Sequence, residues 1–235
     1  MKKRLVFGTL IVGAIVGGYF IYRTMRSGGT RSLQVLQWLR DPRSHTEWLI
    51  PAGTRCNGAP FLFPTSGLIG FLWGDSFRPG HRHQGIDIFA GTEPGVTPVY
   101  AAYSGYLTRL PTWKSSVIIR IPDDPLSPGR QIWLYYTHMA DWNGVSYIAS
   151  EFPPGTSEVW VEAGTLLGYQ GNFSGDPNKP VGVHLHFSVV KDDGLGHFRN
   201  ELEIGNTYDP SPYLGLPLNA WENLNTIPTC NPISE

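Results

Sequence analysis

His83-Gln84-Gly85-Ile86-Asp87 is the stretch that decides how this chain is read. It sets a histidine and a carboxylate four residues apart, across a glycine that permits a close or unusual backbone conformation. About a hundred residues later the chain gives His184-Leu185-His186. On a strand, alternate side chains point to one face, about 6.6 Å apart along the chain. Both imidazoles then face one cleft while Leu185 faces the core. Neutral imidazole and carboxylate are the ligand types of a zinc site that uses three protein ligands and keeps a fourth position open. From the residues alone the ligand set stays ambiguous. His81-Arg82-His83 is a second His-x-His, and His138, behind Tyr135-Tyr136-Thr137, lies between the two motifs. His45 and His197 fall outside any motif and read as surface residues.

Working outward, the chain from about residue 51 consists of short apolar or alternating runs bounded by Gly, Pro, Asn and Asp. The runs 99–106, 116–121, 132–137, 158–161 and 183–190 read as strands. Turn signals separate them, among them Pro122-Asp123-Asp124-Pro125, Asn143-Gly144 and Pro153-Pro154-Gly155. With 28 glycines and 20 prolines in 235 residues, many short strands are favoured over long helices. The expected fold is all-β, a mainly antiparallel, sandwich-like domain. The tail from 192 to 235 is rich in Pro, Asn and Gly and is expected to wrap that domain as extended chain.

The N-terminus has a different character. Leu5 to Tyr22 runs for 18 residues without a charge behind Met-Lys-Lys-Arg, long enough as a helix to span hydrocarbon. Arg23 and Arg26 follow it and a small-residue cleavage site is poor, so a retained anchor is favoured over a cleaved signal, whose loss would make the protein secreted. Arg31 continues the basic flank. Ser32 to Arg40 has apolar residues at helical spacing and ends before Pro42; it either lies on the bilayer through Trp38 or docks on the domain. Net charge is −1, but six of the 18 basic residues precede residue 32, leaving 12 against 19 acids. A mildly acidic body without clustered Lys or Arg excludes nucleic acid as a partner. Cys56 and Cys230 flank nearly the whole domain and belong to no Cys-x-x-Cys. In an oxidising compartment they staple its start to its tail, worth roughly 5 kcal/mol in the chain-entropy model.

Taken together, His83/Gly85/Asp87, then His138 after aromatic residues, then His184/His186/Phe187 resemble the lysostaphin-type, LytM-like zinc metalloendopeptidases. Thr97-Pro98-Val99-Tyr100-Ala101 with Gly105, Glu162 to Gly168 with Gly171, and Asp209 to Leu214 extend the likeness over roughly residues 67–214. The resemblance implies zinc ligands at His83, Asp87 and His186, with His138 and His184 as the catalytic pair. It implies hydrolysis of peptide stems or cross-bridges of bacterial peptidoglycan. The chain is expected to divide into an anchor over 1–22 and a connector over 23–50, both read from the residues, and a peptidase domain over 51–235 in the cell envelope, with Asn172 to Pro180 as a cleft wall. The alternative is a non-catalytic, wall-associated regulator of other hydrolases on the same fold. The oligomeric state is not legible.

Overall fold

The computed structural model describes residues 30–76, 80–223 and 225–230. The uncharged run 5–22 lies outside them, and among the described residues no helix is long and apolar enough to cross a membrane. The order begins with a helix, α1, over residues 30–40, then a 3-10 turn at Pro42–Trp48 capped by the Asp41 side chain. Ten strands follow: β1 Leu68–Phe71, β2 Ile86–Phe89, β3 Pro98–Tyr100, β4 Gly105–Thr108, β5 Val117–Ile121, β6 Ile132–Thr137, β7 Val159–Val161, β8 Leu166–Tyr169, β9 Leu185–Lys191 and β10 Thr207–Tyr208. A short α2, Ser211–Leu214, closes the list.

All strand pairs are antiparallel, as expected. The large sheet runs β1-β2-β9-β6-β5-β4-β7, and β10 pairs with the end of β9. β3 and β8 form a separate two-stranded sheet, so the second layer is narrower than the expected sandwich. The expected strand over 99–106 is in fact two. The chain leaves the small sheet at Tyr100 and enters the large one at Gly105, and the fully buried Ala101 and Ala102 make the crossing. Consecutive small apolar residues, rather than alternation, mark that passage. The Ala102 N–H donates to the Tyr136 hydroxyl at 2.9 Å, which satisfies a buried phenol.

The main core lies on one face of the large sheet, where Ile86, Ile88, Leu134, Tyr136, Leu185, Phe187 and Val189 meet Val99 and Leu167 of the small sheet. Period-two alternation puts Asp87, Tyr135, Thr137, His184, His186 and Ser188 on the opposite face. Two smaller apolar clusters cover parts of that second face. Val35 and Trp38 of α1 pack on Leu68 and Phe89 at one end. Ile118, Trp133 and Val190 pack beneath Trp113 and Phe198 at the other. The gap between them is the cleft.

Helix α1 therefore docks on the domain, the second of its two expected options. The Trp38 indole donates to the Phe89 carbonyl at 2.8 Å. Arg31 is 1% exposed and pairs with the buried Asp75 at 3.3 Å, rather than standing at a membrane flank. The tail does wrap the domain, but it also holds β10 and α2. It is tied down by the Cys56–Cys230 disulfide, with Cα atoms 5.4 Å apart.

Candidate metal centre

His83 and Asp87 flank the start of β2, and His186 lies in β9, directly opposite Asp87 in register. Gly85 makes that approach possible: a Cβ there would collide with the Phe187 carbonyl oxygen. The strands bring His83 Nε2, Asp87 Oδ1 and His186 Nδ1 to within 2.9–3.1 Å of one another. Tetrahedral ligands on zinc bonds of 2.0–2.1 Å stand about 3.3 Å apart, so the triangle is close to the size a bound zinc requires. His81 stays outside the trio at the rim of the cleft.

The remaining hydrogen bonds fix the chemistry of these atoms. His83 Nδ1 donates to the Leu72 carbonyl at 2.9 Å, which leaves Nε2 as a lone pair. His186 Nε2 donates to Glu201 at 2.8 Å, which leaves Nδ1 as a lone pair. Two imidazole lone pairs and a carboxylate oxygen thus converge on one point. Three acceptors cannot satisfy one another, so the point calls for a proton or a cation. Burial would depress the His186 pKa, but Glu201 and then Asp87 outweigh it and raise it to about 10. Burial likewise opposes ionisation of Asp87, yet the imidazoles of His83 and His184 hold it well below the usual carboxylate range. The field at this point favours positive charge, and a metal ion would take the place of the proton.

His138 and His184 stand beside the trio. Their rings are 4.5 Å apart, and His184 Nε2 is 3.6 Å from Asp87 Oδ1. His138 directly follows β6 with a φ of 73°, a conformation uncommon for a residue with a side chain, and its ring lines the cleft. Its Nδ1 donates to the Phe173 carbonyl at 2.7 Å, and His184 Nδ1 donates to Gly182 at 2.6 Å. Each therefore presents an Nε2 lone pair. Burial pushes both pKa values down, His138 to about 3 with help from the neighbouring imidazoles. Both are neutral bases at pH 7, and neither donates from Nε2 until it has received a proton. The ring of Phe89 stacks on His184 at 4.9 Å and fixes its plane.

The cleft holds about 720 Å³ and is lined by the insert residues Phe173 to Gly175, by Val35 and Leu39 of α1, and by a hydroxyl-rich floor of Ser115, Ser116, Tyr135 and Thr137. No Lys or Arg lines it among the described residues, so it suits a neutral or cationic ligand better than a phosphate. Sequence reasoning missed Glu201, one of two acids in the loop Asn200-Glu201-Leu202-Glu203, which no spacing rule marks. It also missed Asp75, whose carboxylate accepts from Leu72 N at 2.7 Å and whose carbonyl accepts from His83 N at 2.8 Å. These bonds hold the loop that carries the Leu72 carbonyl.

No family model and no curated protein matches the chain. Solved structures do. Lysostaphin, an antimicrobial peptidase from Staphylococcus simulans, is 18% identical over 71% of this chain and 55% of its own, with a TM-score of 0.40. The catalytic domain of the same peptidase matches over 68% of this chain and 94% of its own, at 18% identity and a TM-score of 0.39. The catalytic domain of the prophage-encoded protein EnpA from Enterococcus faecalis is 21% identical over 66% of this chain and 98% of its own, at 0.38. This chain thus spans about half the length of full lysostaphin. At such scores the functional argument rests on the residues of the site.

Proposed function

We propose that this chain is a zinc metalloendopeptidase that cleaves peptide stems or cross-bridges of bacterial peptidoglycan, held in the cell envelope by residues 5–22. The observation that carries the metal is the meeting of His83 Nε2, Asp87 Oδ1 and His186 Nδ1, three potential ligand atoms within 3.1 Å of one another. The substrate class rests on the motif resemblance and on a cleft without Lys or Arg. Zinc bound there supplies Lewis acidity, which makes water easier to deprotonate and a peptide carbonyl easier to attack.

The chain's own residues do the rest. His184 and His138 each offer a neutral Nε2 beside the trio, so either can take the proton of the attacking water. The imidazolium so formed is then the donor, to the oxygen where charge develops and finally to the leaving amine. We assign proton acceptance to His184, which stacks on Phe89 and lies 3.6 Å from the Asp87 carboxylate that would stabilise its cation. His138, whose Nε2 is a lone pair while its Nδ1–H is held by Phe173, supports the oxyanion only once that Nε2 has taken up a proton in its turn.

The test is digestion of purified peptidoglycan by the full chain, with and without chelator, followed by mass analysis of fragments. Zinc should bind near one per chain, and His83→Ala, Asp87→Ala or His186→Ala should each remove most of it. His138→Ala and His184→Ala should keep zinc and slow cleavage about a hundred- to a thousandfold. The regulator reading replaces this one if wild type cuts no peptidoglycan while wild type and both last variants alike restore wall hydrolysis in cells lacking the protein.

A further inference from the structure

Glu201 approaches His186 from the side away from the trio. Its Oε1 accepts from His186 Nε2 at 2.8 Å and from the Ser188 hydroxyl at 3.1 Å, and its side chain is 12% exposed. The two nitrogens of an imidazole diverge across the ring. A carboxylate on Nε2 therefore cannot share a metal held on Nδ1, and Glu201 is not a fourth ligand. What it does is settle which nitrogen carries the proton. With Nε2–H committed to Glu201, Nδ1 is left as the free donor atom aimed at Asp87 Oδ1, 2.9 Å away.

The three inward imidazoles are anchored unequally. His83 gives its outer N–H to a backbone carbonyl, Leu72, and His184 gives its own to another, Gly182. His186 alone gives it to an ionised side chain. A charged acceptor makes the stronger hydrogen bond and raises the basicity of the opposite nitrogen. Ser188, two residues on from His186 and on the same face of β9, holds the carboxylate in place.

We propose that Glu201 is the positioning residue of the metal centre: it fixes the tautomer of His186 and strengthens it as a zinc ligand. This rests on the zinc-peptidase reading above, which it deepens. The loop 199–203 thereby belongs to the site although its side chains do not touch the metal position.

The experiment measures zinc affinity of the full chain at pH 7 by competition with a chromophoric chelator, for wild type, Glu201→Gln and Glu201→Ala. Glu201→Gln keeps an acceptor on Nε2–H but loses the charge, so affinity should fall about tenfold. Glu201→Ala leaves Nε2 without its partner and frees the proton to sit on Nδ1, so affinity should fall toward a hundredfold, the usual range for such partners. Cobalt substituted for zinc should show shifted visible bands in Glu201→Gln, which a merely structural role would leave alone. Zinc affinity and cobalt spectra of Glu201→Gln matching wild type would overturn the proposal and leave the zinc reading intact. A wild-type chain that binds no zinc would overturn both.

Discussion

The two faces of the large sheet are built in opposite ways. On one, Ile86, Ile88, Leu134, Leu185, Phe187 and Val189 meet across adjacent strands, and the small sheet closes over them. On the other, the same strands present Asp87, Tyr135, Thr137, His184, His186 and Ser188, and no sheet of the described residues covers them. That face is walled by α1, which precedes the domain, and by the insert 172–180 and the loop 199–203 within it. The difference teaches that the core is secured by local alternation, whereas the site depends on the chain ends being held. Arg31 of α1 pairs with Asp75, donates to the Asn223 carbonyl, and so links the helix, the His83 loop and the tail. Trp38 supports Phe89, which supports His184.

The comparison breaks most severely if α1 is removed. A chain starting at residue 51 uncovers Leu68 and Phe89, now 0% and 4% exposed, and leaves Asp75 without Arg31. We expect it to be less soluble, to lose the near-ultraviolet signature of the folded chain, and to bind zinc poorly. Zinc binding and peptidoglycan digestion equal to those of the full chain would make α1 a linker and dissolve the contrast between the faces. Reducing the disulfide is next. It closes a loop of 174 residues, and its loss should cost up to about 5 kcal/mol in denaturant unfolding. The cysteines should resist thiol reagents until reduced; two free thiols in protein from its native envelope would remove the staple.

A pair of substitutions then sharpens the contrast. Trp38→Ala deletes a side chain that is 2% exposed and should cost about 3–5 kcal/mol; Leu134→Ala, at 0%, should cost about 2–5. Their side effects should differ. Trp38→Ala loosens Phe89 and should slow cleavage in the fraction that stays folded. Leu134→Ala should leave the activity of the folded fraction near wild type. Equal losses of activity would mean that both faces transmit strain to the site alike.

Legibility follows the same division. The strands β5, β6 and β9 were readable because alternation is a local pattern, whereas the trio was named only through the motif resemblance, since the residues alone left His81 and His138 open as ligands. β1 and β8 were not distinguished from loops, since short runs such as Leu68–Phe71 carry too few alternations. The break at Ala101 was invisible because both small residues fit a strand as well as a crossing. Arg31 read as a membrane flank because charge near an apolar run has that meaning locally; only the distant Asp75 gives it another. Glu201 lies 15 residues beyond His186 in a loop, and nothing in its neighbours sets it apart from Glu203.

The smallest expected effect concerns the outer side of α1. Val35 and Trp38 face the domain, while Leu33 and Leu36 are 62% and 58% exposed. An exposed leucine contributes little to folding, since the unfolded chain exposes it equally. Leu36→Ser should therefore change the stability of the full chain by no more than about 0.5 kcal/mol, helix propensity included. The inner side offers the control: Val35, one residue earlier, is 6% exposed and packs on Leu68 and Phe89, so its truncation should be felt. If Leu36→Ser costs more than about 1.5 kcal/mol in dilute solution, its side chain is buried there by something other than this domain's described residues. Repeating the measurement across a range of protein concentrations would identify a second copy of the chain as that cover, because its contribution would then rise with concentration.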